Sequence, residues 1–418
     1  MSNKSPLICL ITPGHVASTP RLVKNADALA EAGYRVHVIA GRNYPPADPL
    51  DAEIFAEAKW EHTLVDYSKG PAATGRKLRR WFARRLLARG SKGNIATAAR
   101  AHHAEALHLA ARAAALRADF YFGHCLAGLP AAALAAQRSG CSYGFDAEDL
   151  HDEETEYARA DPSERSARKI LQSNLLPGCR LFTCSTPLLA TNYRDSYGIE
   201  PRVVLNVFPL SQAPATPNDP GPVTSSRPAR FYWFSQTIGH GRGLEGIISV
   251  MGRMRIPTEL HLRGFVSESY RKELQSLSAE SGLVRPITFL SPGAPSEMAR
   301  LAANADLGLS LEERHPLNRD YALTNKLFLY LLAGVPQILS HTSAHLAIAP
   351  DLSPAAVLVD LPRIDETAKA LDAFLGNESR MAAARLAAWN LARRRFCWDI
   401  EKNIFIGAIR EIERSGFR

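Results

Sequence analysis

Apolar and polar positions fall into blocks along the chain, and the period of each block predicts an element. "LICLIT" is a continuous apolar run closed by Pro13 and Gly14, as expected of a buried parallel strand. "RLVKNADALAEAG" carries a helical period and ends at Gly33, and "YRVHVIAG" is the next strand. Strand, helix and strand at this spacing make a βαβ crossover. Further units follow: a long Ala-rich helix from about Ile95, strands at "DFYFGH", "SYGFD" and "RLFTCS", and a helix through "PAAALAAQRSG". After "RVVLNVFPL" the period stops. "SQAPATPNDPGPVTSSRPAR" is rich in Pro and Ser and reads as a linker. The alternation restarts at "RFYWFS" and continues through "ELHLRG", "PITFLS", "DLGLSL" and "PQILS", with helical segments between them.

Two runs of βα units predict an α/β chain of two doubly wound, Rossmann-like domains facing across a cleft. The expected boundaries are 1–207 for the first domain, 208–229 for the linker, 230–395 for the second domain, and 396–418 for a last amphipathic helix. Composition agrees with two cores. The chain has 418 residues, 46% hydrophobic and 22% charged, in the range of globular proteins too long for one core. Six scattered cysteines without a C-x-x-C pair, and an N-terminus that reads as a strand rather than a leader, favour reduced thiols in a cytoplasmic setting.

The net charge of +8 changes the picture at one place. Between Arg76 and Lys92 stand Arg76, Lys77, Arg79, Arg80, Arg84, Arg85, Arg89 and Lys92, with no acid among them. Leu78, Trp81, Phe82 and Leu86 recur there at helical spacing. Such a helix suits an anionic membrane surface, from a peripheral position on its inner face; it equally suits a solvated helix whose apolar residues are core anchors. No nucleic-acid-binding motif accompanies it.

Candidate chemistry gathers where strands end and helices begin, because free N–H groups there favour anions. In "FSQTIGHGRGLEG", Gly239, Gly241 and Gly243 permit close backbone approach, and Arg242 supplies a permanently charged fork. In "TNKLFLYLLAGVPQI", Thr324 is placed to cap a helix. Asn325 and Lys326 occupy its first turn, where a cation opposes the helix dipole unless an anion is bound. In the first domain, Gly14, His15 and Arg21 follow the first strand. Asp146, Glu148, Asp149 and His151 follow another strand and can orient or deprotonate a hydroxyl. Each of these sites also has a plainer reading, as a flexible turn, a solvated acidic loop or a polar loop residue. No His or Asp cluster has metal-ligand spacing, so neither a metal nor another cofactor is expected.

These segments, in order, resemble the GT-B glycosyltransferases of the large family-4-like, retaining group. "STPRLVKNADALAEAGYRVHVIA" is similar to the family's first βαβ unit. "FDAEDLHDE" is similar to its acidic stretch, and "LFTCSTPLLATNYRDSYGIEPRVVLNV" to the segment closing its first domain. "GRGLEGII" is similar to its phosphate loop, "NKLFLYLLAGVPQI" to its donor-site helix, and the tail with Trp398 and Glu401 to its crossing helix. The resemblance implies transfer of a sugar from a nucleoside diphosphate donor to a hydroxyl acceptor, which in this group can be lipid-linked. It places Arg242, Thr324, Asn325 and Lys326 around the donor diphosphate and needs no cofactor. It implies a role in bacterial polysaccharide or glycoconjugate assembly.

One departure stands out. Where the family has two glutamates eight residues apart, this chain has Tyr321 and Leu329. The second glutamate binds ribose, so Glu312 or Glu313 is expected to replace it, with Leu329 lying close to the ribose. The alternatives are a partner subunit that kept the fold and lost the donor site, and a nucleotide-sugar epimerase of the same fold.

Overall fold

The computed structural model describes residues 5–67, 71–90, 93–154, 160–217 and 219–418. Lys92, at the end of the basic segment, lies outside them. The chain divides into two compact units, Met1–Val204 with Lys402–Arg418, and Leu205–Glu401. The division falls three residues before the predicted start of the linker.

The first unit holds seven parallel strands: β1 Leu7–Thr12, β2 Arg35–Arg42, β3 Glu61–Asp66, β4 Phe120–His124, β5 Ser142–Ala147, β6 Leu181–Cys184 and β7 Arg202–Val203. Their order is β3-β2-β1-β4-β5-β6-β7. Ile8 pairs with Val36 on one side and Phe120 on the other, so the order reverses at β1. A parallel sheet is covered on both faces. That is why β1 and β4 are apolar up to their last residues, Thr12 and His124, and fully buried apart from Leu7. The edge strand β3 differs: only Val65 is buried in it.

The predicted Ala-rich helix is two helices, Ile95–His102 and Ala106–Ala115. His103 turns extended between them, with φ −139° and ψ 126°. The tail of the chain closes this unit. Lys402 pairs with Glu31 at 2.8 Å, Tyr34 donates to Glu413 at 2.6 Å, and the Phe405 and Phe122 rings lie 5.5 Å apart.

The second unit holds six parallel strands: β8 Ala229–Ile238, β9 Thr258–Val266, β10 Thr288–Leu290, β11 Leu307–Ser310, β12 Gln337–Ser340 and β13 Ala356–Val359. Their order is β10-β9-β8-β11-β12-β13, reversing at β8. Phe231, Trp233, Leu262, Leu309 and Ile338 anchor its core, all fully buried. Each such side chain contributes about 1.5–3 kcal/mol of burial. Helix Asn325–Ala333 packs on this sheet and ends at Gly334, whose φ of 69° is the left-handed cap a glycine allows. Its Tyr330 hydroxyl donates to the Tyr232 carbonyl at 2.8 Å. The Tyr330 ring also leaves no room for a side chain at Gly308. The last helix, Trp398–Ser415, starts in this unit and ends in the first. At its start Leu205 N–H donates to Glu401 at 2.8 Å.

Candidate functional site

In the second unit the switch point between β8 and β11 gathers the candidate donor-site residues. β8 runs into Gly239–Gly243. Gly241 and Gly243 adopt φ +70° and +68°, and Gly243 starts helix Leu244–Met251. β11 runs into Glu312, whose backbone N–H donates to the Ser340 hydroxyl at 2.9 Å. Glu312 is buried and is the hub of the site. Arg242 donates to it at 3.1 Å and Lys326 at 3.3 Å. Lys326 is only 5% exposed, so its ammonium does not reach into solvent. It also lies 5.2 Å from the Trp233 ring. Arg319 donates to the Gly241 carbonyl and joins the same field.

The charge balance of this cluster decides its chemistry. Burial acts to raise the Glu312 carboxyl, but Lys326 and Arg242 outweigh it and hold it below the usual carboxylate range. Lys326 shows the opposite imbalance. Burial pulls its ammonium below the ordinary lysine value, Arg242 and Arg319 add to this, and Glu312 does not restore it. One buried carboxylate holds two cations, and Arg319 adds a third to the same field, so the buried part of the cluster is short of negative charge.

Unused polar atoms adjoin it. Thr324 begins helix Asn325–Ala333 with an extended backbone, but its side chain makes no cap bond. The expected cap is therefore not formed. Its hydroxyl oxygen, Trp233 Nε1 and His345 Nε2 are buried without a partner among the described residues. Asn325 is exposed. Leu329 is 1% exposed, closed off rather than presented to a ligand. Of the two replacement carboxylates, Glu312 is committed to the cations. Glu313 is exposed, and its Oε2 lies near Gly241.

One grouping is not legible in sequence. His240, Glu245 and Glu273 come together, with His240 Nδ1 3.4 Å from Glu245 and Nε2 3.6 Å from Glu273. The two carboxylates face different ring nitrogens.

In the first unit the corresponding ends of β1, β4 and β5 hold the second group. Arg21 is 1% exposed. It grips Asp146 with both arms, Nε to Oδ2 at 2.6 Å and Nη2 to Oδ1 at 2.9 Å, and donates to the Val204 carbonyl at 2.7 Å. Thr183 also donates to Asp146, and His124 Nδ1 lies 3.4 Å away. Burial acts to raise this carboxyl, but Arg21 and His124 overcome it, so it stays well below the usual range. Asp146 is thus an anchor for Arg21 and not a base open to substrate. His15 is equally committed. Its Nδ1 lies 2.7 Å from Asp51, and its Nε2 accepts the Tyr44 N–H at 3.0 Å, with Gly14 in the turn just before it. That bonding fixes the tautomer and ties the loop after β2.

Glu148 is different. It is half-buried, and its carboxyl is pushed up to about 7, first by burial and then by Asp149 beside it. His151 sits in the same turn, its N–H donating to Tyr193 at 3.3 Å and its Nε2 buried without a partner among the described residues. The Tyr193 hydroxyl donates to the Asp149 carbonyl at 2.9 Å. His124, missed in the sequence, has a buried Nε2 in the same condition. Its one signal was its place as the last residue of a buried strand.

The fold built from these two units is that of the GT-B glycosyltransferases. No family model matches the chain, and a search of curated proteins finds no match. Solved structures do match. HepE from Anabaena, in complex with UDP and glucose, aligns with a TM-score of 0.66 at 15% identity, over 97% of this chain and 100% of that one. Sucrose-phosphate synthase from Thermosynechococcus elongatus gives 0.70 at 14% identity, over 98% and 100%. WaaG, a glycosyltransferase involved in lipopolysaccharide biosynthesis, gives 0.57 at 13% identity, over 96% and 98%. At these identities the likeness establishes the fold.

Proposed function

We propose that this chain transfers a sugar from a nucleoside diphosphate sugar to a hydroxyl acceptor in polysaccharide or glycoconjugate assembly. The observation that carries the reading is the charge shortage around Glu312. Arg242 and Lys326 stand at a glycine loop and at the first turn of helix Asn325–Ala333, and Glu312 keeps both in place. A diphosphate supplies the negative charge this cluster lacks. As the sugar leaves, charge grows on the diphosphate, and preorganised cations and N–H groups stabilise it most at that moment. Three protein cations can do this without a metal ion. HepE, with UDP bound, and WaaG, in lipopolysaccharide biosynthesis, support this choice of donor and pathway class. Glu313 is the carboxylate we assign to the ribose hydroxyls, and Glu148 the group we assign to the acceptor hydroxyl. Retention of configuration is an expectation from the family resemblance.

The test is a panel of nucleoside diphosphate sugars, scored by thermal shift and by release of free nucleoside diphosphate. A ligand at 100 times its dissociation constant adds about 2.7 kcal/mol of stability. No shift with any nucleotide refutes the reading and leaves a partner subunit; isomerised donor without transfer leaves an epimerase.

A second observation favours a membrane-surface location. Among the described residues no helix is long and apolar enough to cross a membrane. Helix Pro71–Ala88, however, wears its large apolar side chains outward: Leu78 is 57% exposed, Trp81 49%, Phe82 58% and Leu86 47%. The small or inner positions, Ala83 and Leu87, face the core. Exposed Arg79, Arg85 and Arg89 flank the apolar residues. Core anchoring does not explain the outward four, whereas an anionic lipid surface does. A lipid-linked acceptor is the class we assign to such a location.

A further inference from the structure

We propose that Phe265 is the platform on which the donor's nucleobase stacks; this rests on the donor-site reading above. Phe265 is 70% exposed, the most exposed aromatic side chain among the described residues. Single exposed apolar residues are ordinary, so exposure alone decides nothing. The backbone around Phe265 is what is unusual.

β8 and β9 run in register from Ala229–Thr258 to Phe234–Arg263, then resume at Thr237–Phe265 and Ile238–Val266. Three residues of β8 advance against two of β9, which is a bulge. Bulges turn a strand and re-aim its side chains, and they cluster beside functional sites. The partner of this bulge is Gly264, with φ +146°. A Cβ there would lie 2.3 Å from the Ser235 carbonyl oxygen, so the bend requires glycine. Before the bend, His261 and Arg263, which share the side of Phe265 by alternation along the strand, are half-buried. After it, Phe265 stands out with the exposed Gln236 and Thr237 beside it on β8.

Its place in the sheet fits one part of the ligand. β9 lies beside β8, and β8 beside β11. Phe265 pairs with Thr237, two residues before the glycine loop that carries Arg242. Glu312 and the start of helix Asn325–Ala333 follow β11. Across the sheet, the line of β11 and the line of β9 lie two strand spacings apart, roughly 10 Å. A ribose and an α-phosphate bridge such a gap, with the diphosphate at Arg242 and Lys326 and the base over Phe265. Every nucleobase presents a π-face, so the platform accepts any base. Discrimination among bases then falls to hydrogen-bonding groups elsewhere.

The experiment titrates the intact chain and its Phe265→Ala, Phe265→Trp and Arg242→Ala variants with UDP, GDP, ADP and inorganic pyrophosphate. Phe265→Ala should weaken nucleotide binding by roughly 5- to 150-fold, the range of a lost base–aromatic stack. Pyrophosphate binding should be unchanged in that variant. Phe265→Trp should keep nucleotide affinity, and its added fluorescence should be quenched by nucleotides but not by pyrophosphate. Arg242→Ala should weaken both ligand classes. Unchanged nucleotide binding in Phe265→Ala, or an equal loss of pyrophosphate binding, overturns the stacking role alone. Failure of the intact chain to bind any nucleotide overturns the stacking role and the donor-site reading together.

Discussion

Replacing Lys326 with Met tests whether Glu312 and its cations form one unit. The two groups lie 3.3 Å apart and both are buried. At an effective dielectric of 20, Coulomb's law gives about 5 kcal/mol for that separation. Desolvation offsets part of it, but in the variant the carboxylate is already buried and has lost a partner. Breaking one side of a buried pair typically costs about 3–5 kcal/mol. Arg242 remains, 3.1 Å from Glu312 but with a third of its side chain exposed and therefore screened. The expected loss for Lys326→Met is thus about 3 kcal/mol, the low end of that range. Pairing it with Glu312→Leu removes the stranded charge, so the double variant should be more stable than Lys326→Met alone.

Urea unfolding of the wild type, both single variants and the double variant closes a cycle, with an expected coupling of about 2–3 kcal/mol. The pH dependence gives a second reading. The Glu312 carboxyl is held below its ordinary range, so its contribution is present above about pH 4.3, the unfolded value, and is lost as pH falls through the depressed folded one. The coupling should fade in that acid window and hold at neutrality. Additive costs for the two variants at pH 7 would refute the unit. So would a Lys326→Met chain as stable as the wild type.

Other consequences are as direct. Arg242→Ala should weaken donor binding by about 2–4 kcal/mol with an unchanged circular dichroism spectrum, measured by calorimetry with a nucleoside diphosphate. With Glu148 titrating at about 7, transfer that uses its ionised form should rise with pH through neutrality, and Glu148→Gln should abolish that limb of the rate profile. The intact chain should co-sediment with anionic vesicles and release as salt rises, and Trp81→Ser with Phe82→Ser should abolish binding; equal binding to neutral vesicles refutes the lipid surface. Leu329→Glu should lower stability by roughly 2–4 kcal/mol, since it buries a carboxylate at a position 1% exposed, and should add no nucleotide affinity. A tenfold gain in affinity would place Leu329 at the ribose after all.

The alternation of the two sheets could be read from the sequence because a strand covered on both faces must be mostly apolar, as β1, β4 and β11 are up to their last residues. β3 escaped that rule: as an edge strand it buries only Val65, and its polar residues look like loop. Helix Pro71–Ala88 was legible as a helix but not in its orientation. Periodicity finds a face with Leu78, Trp81, Phe82 and Leu86; it does not say that the smaller face with Ala83 and Leu87 is the buried one. The commitments of His15 and Asp146 were hidden for another reason. His15 meets Asp51 across 36 residues and Arg21 meets Asp146 across 125. No local pattern contains such pairings, so reactive residue types at strand ends looked free when they were not.

Leu329, where the family resemblance implies a ribose-binding glutamate, shows how far a motif and a site can separate. In the motif, a carboxylate one turn into helix Asn325–Ala333 meets the ribose. Here every residue from Lys326 to Ala333 is buried, and position 329 has become packing. Glu312, the buried carboxylate paired with Lys326, could replace the missing one only by releasing Lys326 and Arg242. That exchange would strip Lys326 and Arg242 of the carboxylate that holds them in place. Glu313, the next residue along, carries no such duty: it is exposed and close to Gly241. On the proposed reading, the two adjacent glutamates that follow β11 divide the work: the buried one organises positive charge and the exposed one meets the ribose hydroxyls. Glu313→Gln should accordingly weaken nucleotides and spare pyrophosphate, whereas Glu312→Gln should weaken both. The reverse pattern in the same titration would exchange the two roles.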